Sequence, residues 1–252
     1  MFGVPGPTEF DVRFRLLGVP VRIHPLFWAM AAMLGWNLTE GSGKLLLVWV
    51  GCVFFSILIH EFGHALTARA FGSDPSVVLY TFGGLCVYQN PQKDLRHRLL
   101  VLIMGPGAGF LLMGATILVA SVVFKVSPLE VWNDLVLVPS VSPLVSLAVY
   151  FLVEINFYWG ILNLLPIMPL DGGQIAMVLL TMRNRVEGPR RAYVVSLVAA
   201  GLVAIYFIRS EQYINALLFG YLGMMSYQNL QALHYQSRYG GGYEDEVDWW
   251  KR

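Results

Sequence analysis

Seven stretches of the chain run without a charged side chain: 23–39, 45–60, 99–124, 135–153, 155–170, 192–208 and 212–237. A bilayer core takes about 20 mostly apolar residues per helix, so these windows predict membrane spans. Only Glu154 separates 135–153 from 155–170, and Pro143 marks a helix start, so the two make one helix. The predicted spans are 25–39, 45–69, 98–124, 143–165, 191–208 and 213–235, six in all, with the Pro-initiated first the shortest. Residues 75–92 are also uncharged, but Pro75, Gly83, Gly84, Asn90 and Pro91 break helices. This stretch predicts two short strands around a Gly-Gly turn, in or dipping into the membrane face, with the β segment near 76–90. The expected fold class is therefore an all-α membrane bundle with one short β segment. Its parts are a cytoplasmic segment 1–24, a transmembrane domain 25–235 and a short polar tail 236–252.

Composition sharpens this picture. The 252 residues are 56% hydrophobic and 13% charged, against about 25% charged in soluble domains, and mean hydropathy is +0.60. A net charge of +1 gives no bias toward polyanions, and disorder, nucleic-acid binding and a disulfide-stapled module all fit poorly. Lys and Arg fall 14 on one side of the predicted spans and 3 on the other, which places both termini in the cytoplasm. Asp11, Arg13, Arg15 and Arg22 precede any apolar segment, so no cleavable signal is expected. Cys52 and Cys86 are read as buried thiols that do not pair.

Chemistry concentrates at the end of the second span, in His60-Glu61-Phe62-Gly63-His64. Two histidines four apart share a helix face and can grip one metal ion, while Glu61 reaches a water beside it. Three ionisable residues in five positions of a span need a reason. Two histidines do not close a site. Pro166 and Pro169 end the fourth span and Asp171-Gly172-Gly173 opens a new amphipathic helix. An aspartate at such a break is a helix N-cap or a metal ligand. His60, His64 and Asp171 all fall near cytoplasmic span ends, which favours the ligand. Two histidines and one carboxylate leave a fourth zinc position open, as catalytic sites do.

These motifs, His60-Glu-Phe-Gly-His64 and Asn163-Leu-Leu-Pro-Ile-Met-Pro-Leu-Asp171-Gly-Gly about 100 residues later, resemble those of the site-2 protease family of intramembrane zinc metalloproteases. Thr81-Phe-Gly83-Gly84-Leu85 is similar to the family's Gly-Gly strand region, and Val21-Arg-Ile-His24-Pro25 to its N-terminal segment. Gly105-Pro-Gly-Ala-Gly109 resembles its Gly-Pro-x-x-Asn signature, with Gly109 where the family has Asn. The resemblance implies one zinc ion per chain held by His60, His64 and Asp171, with Glu61 as general base. It implies that Asn163 steadies the substrate carbonyl or oxyanion, an interhelical hydrogen bond being the alternative. The Thr81–Tyr88 strands, with Gly83, Gly84 and Leu85, would hold unwound substrate by edge pairing.

The expected activity is endoproteolysis within or next to a transmembrane helix, as in regulated intramembrane proteolysis, in a bacterial cytoplasmic membrane. The expected partners are a membrane-protein substrate and the lipid bilayer, with room for a regulatory membrane partner or self-association, and no nucleic acid. The sequence lacks length for an inserted PDZ domain or a C-terminal CBS pair. A catalytically silent adaptor would have lost Glu61 or a ligand, and a transporter would show repeats and charges through the full bilayer. A prenyl-protein-type His-Glu-x-x-His protease would carry a second Glu-bearing motif, and none follows. Glu154 is nine residues from Asn163, about 180° around the helix, and is read as a hydrogen-bonded or neutral structural group, otherwise a proton or water relay. His24, before Pro25, is read as a helix start.

Overall fold

Unbroken apolar runs with breakers only at their ends leave the backbone one way to satisfy its hydrogen bonds in lipid, the helix. The computed structural model describes residues 6–81, 83–89, 94–134 and 142–239. Eight helices form there: α1 Pro25–Trp36, α2 Gly43–Ala70, α3 Leu95–Phe124, α4 Pro128–Asp134, α5 Pro143–Leu164, α6 Asp171–Arg183, α7 Gly188–Arg209 and α8 Tyr213–Tyr239. Helices α2, α3, α5 and α7 are long and apolar enough to cross a membrane, so the chain is an integral membrane protein. The count of six spans goes further than this. α1 has 12 residues, about 18 Å of helix against a hydrocarbon core of about 30 Å. α8 has the length, at 27 residues, but Gln228, Asn229, Gln231 and His234 crowd its second half.

The β structure is larger than the sequence pattern predicted. Four strands, β1 Val12–Leu16, β2 Val19–Ile23, β3 Asp74–Tyr80 and β4 Gly83–Gln89, form one sheet in the order β1-β2-β3-β4. The β1–β2 and β3–β4 pairs are antiparallel hairpins, and β2 joins β3 in parallel through Val21↔Val77 and Ile23↔Leu79. Two strands thus arise inside what reads as a charged cytoplasmic segment. The Gly-Gly pair also differs from expectation: Gly83 and Gly84 open β4 and are not the turn itself. Asn90 and Pro91 lie outside the described residues.

The chain forms two compact units, Met1–Asn163 and Leu164–Arg252. In the first, the alternation of β2 buries Val19, Val21 and Ile23, and Val77 and Leu79 of β3 join them. Phe27 and Ala31 of α1 and Val53, Ile57, Phe62 and Ala65 of α2 complete that core. His24 caps α1, its Nδ1 accepting from the Leu26 amide at 3.2 Å, as expected of a helix start. The Cys52 thiol donates to the Ala148 carbonyl at 3.6 Å. In the second unit α7 packs on α6 and α8, with the Ser196 and Ser226 hydroxyls 2.7 Å apart at the α7–α8 contact.

Candidate metal centre

Residues four apart on a helix stack on one face, and α2 presents Ser56, His60 and His64 in this way, all buried. The Nε2 atoms of His60 and His64 are 3.2 Å apart, with the rings edge to face at 80°. His64 Nδ1 lies 2.7 Å from the Val101 carbonyl of α3. A carbonyl only accepts, so Nδ1 carries the proton and Nε2 is left with its lone pair, as a metal-binding imidazole requires. Zinc sits about 2.0–2.1 Å from histidine nitrogens in tetrahedral geometry. Two such nitrogens lie about 3.3 Å apart, close to the observed spacing. The pair fits one zinc ion.

Glycines bring neighbouring elements onto this face. A Cβ at Gly105 of α3 would lie 2.1 Å from His64 Nε2, and one at Gly63 of α2 would lie 2.0 Å from the Met104 carbonyl. α3 thus touches α2 through bare backbone, beside Pro106. On the other side, a Cβ at Gly84 would fall 2.5 Å from Glu61 Oε1 and 2.2 Å from its Cγ. The Glu61 side chain, 5% exposed, therefore rests against the first residues of β4. Gly83 adopts φ +125° with Trp159 of α5 beside it. Leu85 pairs with Val78 and, by strand alternation, points to the opposite sheet face from Gly84.

α5 is fastened to the same helix. Asn156 Nδ2 donates to Ser56 Oγ at 2.9 Å, one turn before His60, and to the Leu152 carbonyl at 2.7 Å. Its Oδ1 faces Gly109, 3.3 Å from where a Cβ would stand, so an amide does occupy this spot, on α5 and not on α3. Asn163 is buried and donates to the Trp159 carbonyl at 2.9 Å. Glu154 is half-buried on α5 and within electrostatic reach of Tyr150. Sequence reading missed Ser56, although its spacing from His60 was visible.

Asp171 belongs to the second unit. It is the first residue of α6 and 8% exposed; Leu170, not Asp171, holds the N-cap position. Gly172 and Gly173 let the helix start lie on the preceding turn, where a Cβ would meet the Leu164 and Ile167 carbonyls within 2.1 and 2.6 Å. That turn is pinned by the Met168 amide donating to Ser196 Oγ at 2.7 Å.

The model of Peptidase family M50 matches residues 48–207. The chain belongs to this family. The match takes in the His60–His64 motif of α2, the Gly83-Gly84 strand, Gly105–Gly109 of α3 and the Asn163–Gly173 run, while Val21–Pro25 precedes it. Among curated relatives, a zinc metalloprotease of Methanocaldococcus jannaschii is 25% identical over 178 residues, 69% of this chain and 47% of that protein. Stage IV sporulation protein FB of Bacillus subtilis is 27% identical over 221 residues, 85% of this chain and 67% of that one. The chain thus spans about half to two thirds of the length of these relatives. The solved structure of a site-2 protease from Methanocaldococcus jannaschii shares the fold, with a TM-score of 0.57 at 21% identity, covering 88% of this chain and 95% of that one.

Proposed function

We propose that this M50 family member is an intramembrane zinc endopeptidase that hydrolyses a peptide bond within or next to a transmembrane helix of a membrane-protein substrate, as in regulated intramembrane proteolysis. The observation that carries the reading is the paired His60 and His64 Nε2 atoms on the helix that also sets the Glu61 carboxylate against a strand backbone. In this reading Asp171 supplies the third ligand to one zinc ion. Its support is a buried carboxylate at a helix start and a His-His-carboxylate donor set that suits zinc. When bound, the ion supplies Lewis acidity toward the scissile carbonyl and acidifies a neighbouring water.

The chain's own groups do the rest. Glu61 takes a proton from the attacking water and delivers it to the leaving amide nitrogen. Asn163 spends one of its two amide hydrogens on the Trp159 carbonyl, which holds its rotamer, and offers the other to the developing oxyanion. A helix hides its own peptide bonds, so substrate must unwind. Strand β4 lies at an edge of the sheet, and an unwound segment adds there by backbone pairing along Gly83, Gly84 and Leu85. In the membrane we read six spans, α1 and α8 completing the four, with both termini in the bacterial cytoplasm.

In membranes, Glu61→Gln is expected to lower cleavage by at least about a hundredfold while the purified protein keeps its zinc. It should also hold uncut single-pass proteins in pulldowns. Asp171→Ala should lower bound zinc, measured by elemental analysis. Full cleavage by Glu61→Gln would overturn the mechanism, and an unchanged zinc content in Asp171→Ala would remove it as a ligand.

A further inference from the structure

The face of the sheet turned away from α2 is basic. Register places Arg13 opposite Arg22, Arg15 opposite Pro20, and Arg22 beside Val78. Strand alternation therefore sets Arg13, Arg15, Arg22, Ser76 and Val78 on one face. They line, with Pro20, an open groove of about 470 Å³. Its floor is apolar, with Val78 6% exposed beneath the arginine stems, and its rim is cationic. Like charges directly opposite one another on paired strands are unfavourable. Asp11 offsets part of this: its Oδ2 lies 3.3 Å from Arg22 and 3.6 Å from Arg13, with its other oxygen accepting from the Thr8 hydroxyl at 2.6 Å. Arg15 is exposed and has no ion pair among the described residues. The exposed guanidinium groups of Arg13 and Arg15 give the groove a cationic rim.

The surroundings are those of a membrane surface. The β1–β2 turn exposes Leu17 at 64%, and Phe10, two residues before β1, is 82% exposed. Only His24 separates β2 from α1, whose Leu26, Met33, Leu34 and Trp36 are exposed apolar residues of a membrane protein. Apolar side chains beside arginines, one residue from a lipid-facing helix, form the pairing that seats a segment in the headgroup layer. We propose that the groove of Arg13, Arg15 and Arg22 binds the phosphate of an anionic phospholipid, with the exposed apolar residues of the hairpin resting among the acyl chains. The lipid then reaches the candidate centre through the fold. Arg69, five residues past His64, donates to the Leu17 carbonyl in the β1–β2 turn, so the hairpin is tied to the histidine helix.

The test uses the full chain in nanodiscs of phosphatidylcholine doped with phosphatidylglycerol, followed by native mass spectrometry of retained lipid. Wild type should retain phosphatidylglycerol in preference to phosphatidylcholine. Arg13→Gln/Arg15→Gln should lose about 25-fold in that preference, at about fivefold per basic residue near a lipid surface, while Lys125→Gln keeps it. Arg15→Gln alone, at an exposed position, should lose about fivefold and serves if the double variant misfolds. Equal retention by wild type and both arginine variants would overturn the proposal. Displacement of the phosphatidylglycerol by millimolar inorganic phosphate would overturn it too, since it would assign the groove to a soluble anion.

Discussion

At the residue scale, the environment of Glu61 is set by something missing. Where β4 meets α2, any side chain at position 84 would overlap the carboxylate that the proposed mechanism uses. Gly84→Ala is expected to push Glu61 aside and lower cleavage by about a hundredfold, since displacements of about 1 Å cost that much in a positioned site. Zinc content should stay at the wild-type level, because the three atoms nearest a Cβ at position 84 all belong to Glu61. Cleavage at wild-type rate in this variant would show that the carboxylate has room to move. The histidine pair was legible in the sequence because a spacing of four on a helix determines a face without tertiary information. The fit of Gly84 to Glu61 was not, since it depends on two elements meeting, and a Gly-Gly pair reads most readily as a turn. Ser56 lay in between: its spacing was visible, but a serine in an apolar helix signals nothing until Asn156 is seen opposite.

At the element scale, the Ser56–Asn156 hydrogen bond is a side-chain fastening between α2 and α5. Interhelical hydrogen bonds in membranes are worth about 0.6 kcal/mol on average and up to about 1.7. A double-mutant cycle of Ser56→Ala and Asn156→Ala, followed by denaturant titration in mixed micelles, should return a coupling in that range; a coupling of zero would mean that the two side chains are neighbours without energetic consequence. The helices themselves were readable because charge-free runs bounded by Pro, Gly and charged residues have few alternatives. The N-terminal strands were not read, although Val12-Arg-Phe-Arg-Leu16 alternates and Gly18 follows as a turn with φ +80°. Arginines at alternate positions look like a solvated segment; β2 closes a local hairpin on β1, but only β3, more than fifty residues away, joins that hairpin into the larger sheet. Non-local pairing leaves no local trace.

For the whole molecule, the bias of basic residues predicts that both ends lie on one side of the membrane. Fusions of green fluorescent protein to either terminus should both fluoresce in cells, while alkaline phosphatase at either terminus should stay inactive. Opposite results at the two ends would require an odd number of spans and would exclude the six-span arrangement. α1 is the element under test, since its 12 residues cross only if the bilayer thins or its flanks join the span.

The parallel pairing of β2 with β3 has a mechanical consequence. α1 and α2 are the connection between two strands that are hydrogen-bonded to each other, so the helix bearing His60 and His64 is closed into a loop whose seam is the sheet. Sliding or tilting that helix past the strands would strain the seam, and a force applied at the amino terminus is borne by β1 and β2 before it reaches the histidines. Trimming the chain through residue 23 would therefore do more than shorten it. It would open the loop, leave β3 with an unsatisfied edge beside the metal-binding face, and give a wandering segment a second place to pair.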